Sequence, residues 1–151
     1  MLKRKIAEEV VETIKNEVEN LKSEYERLSK TAIQAASFWE SQHDTTKQEL
    51  SYEANRIQKR IAILEQSIKR VSTFIPTMLP CDQVEVGAFA KVQTSKGAIS
   101  HFLILPFAEG EKVGTTMVLS PQSPIFREMH GKRAGELFSF GDATYTVLDV
   151  Q

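Results

Sequence analysis

The sequence predicts an α+β fold: an N-terminal antiparallel α-helical hairpin with coiled-coil packing, then a small antiparallel β domain with one short helix. Three observations carry this. Ile14, Val18, Leu21, Tyr25, Leu28, Ala32, Ala35 and Trp39 recur at alternating steps of four and three, as do Leu50, Ala54, Ile57, Ile61, Leu64, Ile68 and Val71. That spacing lines one face of each helix with a heptad seam. No proline precedes Pro76 and no glycine precedes Gly87, so no strong helix breaker interrupts the first half. Beyond Pro80 the chain turns to short β-branched and aromatic runs separated by turn residues.

The two seams are each other's nearest apolar partner. Setting Val71 opposite Ile14 brings Ile68 to Val18, Leu64 to Leu21, Ile61 to Tyr25, Ile57 to Leu28, Ala54 to Ala32 and Leu50 to Ala35. The turn then centres near Gln42 and His43. At ~1.5 Å rise per residue the arm from Ile14 to that turn is roughly 42 Å long. The segment before Thr13 keeps helical spacing through Leu2, Ile6 and Val10 but lies beyond the second helix, so it should dock on the second half of the chain. Asp44-Thr45-Thr46 with Gln48 and Glu49 is a helix-start signature. It places the second helix from about residue 45 to Thr73, ahead of Pro76. Two domains are therefore expected, 1–75 and 76–151.

In the second half, 84–86, 89–93, 99–105, 116–119, 136–140 and 143–150 read as strands. Ser95-Lys96-Gly97, Glu109-Gly110-Glu111 and Gly141-Asp142 read as the turns between them. Ser123-Pro124 followed by Gly131 reads as one short helix with a serine cap, a proline in the first turn and a closing glycine.

Composition narrows function mostly by exclusion. The formal net charge is −1, so the whole protein has no general attraction to nucleic acid or anionic membrane. A single cysteine, Cys81, suits a reducing compartment, and no apolar run is long enough to span a bilayer. With no apolar stretch after the N-terminal charges, a cytoplasmic protein is expected. There is no glycine-rich phosphate loop, Cys-x-x-Cys pair or His-Glu-x-x-His. His43, His101 and His130 fall in three separate elements, which points to structural or exposed roles. Arg56, Lys59 and Arg60 form a basic stretch on the second helix that could hold a phosphate backbone. Pairing with glutamates of the first helix explains the same charges more simply.

The two halves together resemble the Gre-type (GreA/GreB) bacterial transcription factors. The most specific match runs from Leu119 to Glu136, through Ser120-Pro121, Ser123-Pro124, the short helix, Gly131-Lys132 and Gly135-Glu136. Val86-Gly87-Ala88 and His101-Phe102-Leu103-Ile104-Leu105-Pro106 resemble the family's first strands. The resemblance implies an FKBP-like β domain that docks at the rim of the RNA polymerase secondary channel, with Ser120, Pro121, Ser123, Pro124, Gly131 and Lys132 as docking residues. It also implies that the hairpin reaches toward the active centre, near nascent RNA, where tip acids help hold a magnesium ion shared with the polymerase. The protein itself would be a monomer, not an enzyme. The family's Gly-Asp-Leu-x-Glu-Asn tip is not here; Glu40 and Asp44 flank the turn instead. Two readings from other classes are an FKBP-like isomerase with a helical appendage and a structural coiled-coil protein whose β domain caps an oligomer.

Overall fold

The computed structural model describes residues 2–38 and 44–151, and the side chains of residues 2–31 and 48–151. Helix α1 spans Leu2–Phe38 and α2 spans Asp44–Phe74. A 3-10 turn, Ile75–Thr77, ends the helical part, with Pro76 inside it. The chain forms two compact units, and they do not divide where helix gives way to strand. One comprises Met1–Thr13 with Ser67–Gln151; the other is Ile14–Gln66.

The Ile14–Gln66 unit is the helical pair. Val18, Ile57 and Leu64 are buried, and Leu21, Tyr25, Leu28, Ala54 and Ile61 are half-buried. Tyr25 and Ile61 line one groove together with Lys22 and Glu65. Two exposed ion pairs flank it, Lys22 Nζ to Glu65 Oε1 and Arg60 Nη2 to Glu17 Oε1, each at 3.3 Å. Exposed pairs of this kind contribute little stability. The expected turn at Gln42 and His43, and the pairings of Ala32 and Ala35, lie outside the described residues.

The other unit is built on a six-stranded sheet. Its strands are β1 (Phe89–Thr94), β2 (Ile99–Ile104), β3 (Lys112–Val113), β4 (Thr116–Leu119), β5 (Leu137–Phe140) and β6 (Ala143–Val150), in the order β3-β4-β2-β1-β6-β5. Helix α3, Pro124–Met129, lies between β4 and β5 in the chain. Ala90, Val92, Phe102, Ile104, Leu119, Phe138 and Val147 form the core with Phe126 and Met129 of α3. Residues at alternating strand positions thus supply one sheet face, and α3 covers it.

Three expectations are corrected. The sheet is not wholly antiparallel: β2 and β4 run parallel, Phe102 beside Met117 and Leu103 beside Val118. The cause is β3, too short to stand out in sequence, which inserts one more reversal before β4. Residues 84–86 form no strand of their own. Val84 instead exchanges backbone hydrogen bonds with Lys132 and Gly131, each 2.8 Å, beside an isolated bridge between Gln83 and Arg133. Ser123 precedes α3 with extended backbone, but its side chain makes no cap hydrogen bond.

At the N-terminus, Lys3 and Arg4 reach the segment after α2. Lys3 is fully buried and donates to the Leu79 carbonyl. Arg4 Nη2 donates to the Met78 carbonyl at 2.6 Å. Gly87 has φ +94, a backbone conformation that calls for glycine.

Disulfide formation checks the helical pair: with Cys81→Ser, the pair Leu21→Cys and Leu64→Cys should crosslink within one chain under mild oxidation, and purely intermolecular crosslinks would overturn the register. Leu64→Ala, which opens a cavity at a buried seam position, should cost about 2–5 kcal/mol by chemical denaturation.

Candidate functional site

The segment Leu119–Pro124 turns sharply at Ser120-Pro121. The Ser123 N–H donates to the Ser120 carbonyl at 3.0 Å, and Pro124 keeps Ser123 out of helical conformation, at φ −61 and ψ 128. Both serines are buried, at 4% and 3% exposure. Their hydroxyls meet one carboxylate. Ser120 Oγ donates to Glu109 Oε2 at 2.9 Å and Ser123 Oγ donates to Glu109 Oε1 at 2.6 Å. Ser123 Oγ also accepts the Ser120 N–H at 3.0 Å, and Ser120 Oγ accepts the Gln122 N–H at 3.3 Å. Every polar atom of the two hydroxyls therefore has work inside the turn, and the charged acceptor makes the two outer bonds the strong ones.

Glu109 comes from the loop between β2 and β3, which is held on both sides of a strained residue. Ala108 has φ +70 and is the only non-glycine residue with positive φ among those described. Such a conformation costs about 1–3 kcal/mol and persists only where its surroundings impose it. Glu109 is fixed by the serines on one side. On the other, the Arg70 guanidinium at the end of α2 lies 4.2 Å from the centre of the Phe107 ring. The Gly110 N–H donates to the Val118 carbonyl at 3.0 Å and closes the loop onto β4.

The serine hydroxyls, Ser123 first and Ser120 second, hold the Glu109 carboxyl below the usual glutamate range. For Cys81 the direction is opposite: burial and a hydrogen bond with Glu85 push the thiol up. A raised thiol is a poor nucleophile, and Cys81 serves as a small linker side chain, its sulfur 3.6 Å from Lys3 Nζ.

The remaining sequence-predicted residues are dispersed. Glu40 lies outside the described residues; Asp44 opens α2, and its side chain lies outside them. Arg56 Nη2 pairs with Glu53 of its own helix at 2.7 Å and Arg60 pairs with Glu17 of α1, while Lys59 is exposed. Of the docking residues, Ser120 and Ser123 are turned inward. Pro121 is half-buried, Pro124 is exposed at the start of α3, and Gly131 (φ +79) and Lys132 pair with Val84 through backbone. His101 stacks on Phe89, and His130 packs beside Phe126. Phe102, Phe126 and Phe138 fill the core, with Phe138 stacked on Tyr145, so they do not line an open isomerase-type pocket. No group of three or more His, Cys, Asp or Glu side chains among the described residues could hold a metal ion. Sequence reasoning missed Glu109, which it read only as part of a turn; two serines three residues apart, opposite a loop carboxylate, were the available signal.

The sign of the Glu109 effect is fixed by its lowered pKa. The carboxylate–serine bonds contribute stability that is fully present above the unfolded-state pKa and lost as pH falls through the folded one. The gap in melting temperature between wild type and Glu109→Gln should therefore be full at neutral pH and shrink in acid; a gap that stays constant to low pH would overturn this account.

No protein-family model matches the chain. It is similar to two curated proteins described as transcription elongation factor GreA, both from strains of Clostridium kluyveri. Each is 26% identical over 153 residues, covering 95% of this chain and 92% of the relative. Among solved structures it is similar to the transcription factor Gfh1 (18% identity, TM-score 0.42, 93% and 92% of the two chains). It is also similar to the GreA factor homolog 1 of Thermus thermophilus (20%, 0.39, 93% and 94%) and to Gfh1 of Thermus aquaticus (15%, 0.42, 93% and 92%). Over nearly its whole length, then, the chain is similar to proteins described as transcription elongation factor GreA.

Proposed function

We propose that this protein binds RNA polymerase and regulates transcript elongation, acting on the polymerase rather than as an enzyme in its own right. The observation that carries this is the similarity to GreA, which runs through both the helical pair and the β unit, over 95% of the chain. Helix α2, at about 1.5 Å per residue, is roughly 46 Å long, a length suited to a probe that enters a channel. The β unit docks at the channel rim, and the helical pair points inward. The work is that of a cytoplasmic, monomeric factor; no described helix is long and apolar enough to cross a membrane.

At the far end, Glu40 and Asp44 are the acids best placed in sequence to meet the polymerase active centre. Carboxylates are hard oxygen ligands suited to magnesium. When bound there, a second magnesium ion would activate water for phosphodiester hydrolysis. In this reading the two side chains help hold that shared ion, and Arg56, Lys59 and Arg60 lie along the arm where nascent RNA would pass. Occupation of the channel without cleavage is the other outcome that a Gre-like arm with a changed tip allows.

A stalled elongation complex separates them. The wild-type protein should bind it and release a shortened transcript, whereas Glu40→Ala with Asp44→Ala should bind equally but release none. Binding with competition against a GreA-type factor, yet no cleavage by wild type, would assign channel occupation alone. Neither binding nor competition would overturn the proposed function.

A further inference from the structure

We propose that Lys3 and Cys81 form a covalent modification site: on exposure to hydrogen peroxide the two side chains join through a sulfur–nitrogen bond. They stand 78 positions apart in sequence, yet Lys3 Nζ lies 3.6 Å from Cys81 Sγ. One acceptor gathers both groups. The Leu79 carbonyl takes a hydrogen bond from Lys3 Nζ and, at 3.4 Å, another from the Cys81 thiol. The pair carries the inference, not the cysteine alone.

The surroundings supply what an oxidative crosslink needs. Lys3 is fully buried, so its amino group is held beside the sulfur instead of ranging through solvent. Cys81 is only partly buried, which leaves the sulfur within reach of a small oxidant. Glu85 is half-buried and hydrogen-bonds the thiol, where its carboxylate can relay a proton. In the reduced protein Cys81 is a linker side chain; oxidation gives it a second chemistry.

The sequence of steps balances. Sulfur attacks the peroxide: an S–O bond forms, the O–O bond breaks, and the thiol proton leaves by way of Glu85 with the departing oxygen as water. Sulfur is oxidised to a sulfenic acid as the peroxide is reduced. Lys3 Nζ, after its ammonium proton passes to solvent, then attacks the sulfenic sulfur. An S–N bond forms, the S–O bond breaks, and the oxygen leaves as water with one amine proton. One peroxide is consumed and two waters form. Capture of a sulfenic acid by nitrogen is established chemistry of this kind. The observed separation is close to the roughly 3–3.5 Å of a near-attack pair. Burial and Glu85 push the thiol up, so thiolate is scarce and the first step is slow. The second is fast, because its nucleophile is already in place.

The test treats the full-length protein with dilute hydrogen peroxide and reads intact mass and a peptide map. Native wild type should lose two hydrogens and yield a peptide pair joining residues 3 and 81, and dithiothreitol should reverse both. The crosslinked form should melt at higher temperature, since the tie restricts the unfolded chain. Lys3→Met, whose apolar side chain suits the buried site, should give oxygen adducts on Cys81 but no link. Wild type treated while unfolded in denaturant should give none either, which separates folded geometry from simple reactivity without any substitution. Oxygen adducts or a disulfide-linked dimer from native wild type, with no joined peptide, would overturn the proposal. So would equal crosslinking of the native and unfolded chains. The outcome is independent of polymerase binding.

Discussion

The constraint on which the helical unit depends is that neither α1 nor α2 can keep its apolar stripe in water. Each is far longer than an average helix of a small domain, and a solitary amphipathic helix gains little from propensity alone. Burial of Val18 against solvent on one arm, and of Ile57 and Leu64 on the other, makes the two helices conditional on each other. The ion pairs at Lys22 and Arg60 are exposed, so they supply little of the energy. A polar substitution in the seam therefore affects both helices, whereas a charge reversal at the rim has a small effect.

Polar interactions in the β unit follow a different rule. There several contacts between separate segments are made by charged side chains on neutral partners: Glu109 on two serine hydroxyls, Lys3 and Arg4 on backbone carbonyls. Each joins segments far apart in sequence where the chain leaves regular structure. Turns and linkers expose backbone groups that strands and helices would satisfy internally, and a charged group binds them more tightly than a neutral one can.

What could be read from sequence follows the same division. The heptad steps specified both helices, because one period repeated over seven positions leaves little ambiguity. Strands β1, β2, β4, β5 and β6 were legible from β-branched alternation, and α3 from Ser123-Pro124 and Gly131. Two-residue β3 carries too few residues for a period, so the parallel pairing of β2 with β4 was hidden with it. The Ser123 side chain was read as a helix cap because local chemistry favours that role; instead its oxygen accepts the Ser120 N–H and its proton goes to a carboxylate fourteen residues away. Glu109, Lys3 and Arg4 were invisible for the same reason, since their partners are set by topology rather than by neighbours in the chain. The meeting of Glu109 with Ser120 and Ser123 was thus beyond the sequence, although each residue was in view.

The discontinuity of the sheet-bearing unit has a consequence for the order of assembly. Met1–Thr13 belongs with Ser67–Gln151, and the whole of Ile14–Gln66 is looped out between them. Lys3 meets its carbonyl partner across 76 positions of chain, so that contact cannot form on the ribosome until most of the linker has emerged. Closing a flexible loop of this size would cost of order 3–4 kcal/mol in chain entropy. A helical hairpin is made of local contacts and forms early. Once zipped, it returns the chain to near its own starting point, and most of that closure cost has already been met by the seam. The arm that would probe a partner is therefore also the device that brings the two ends of its own neighbour within reach.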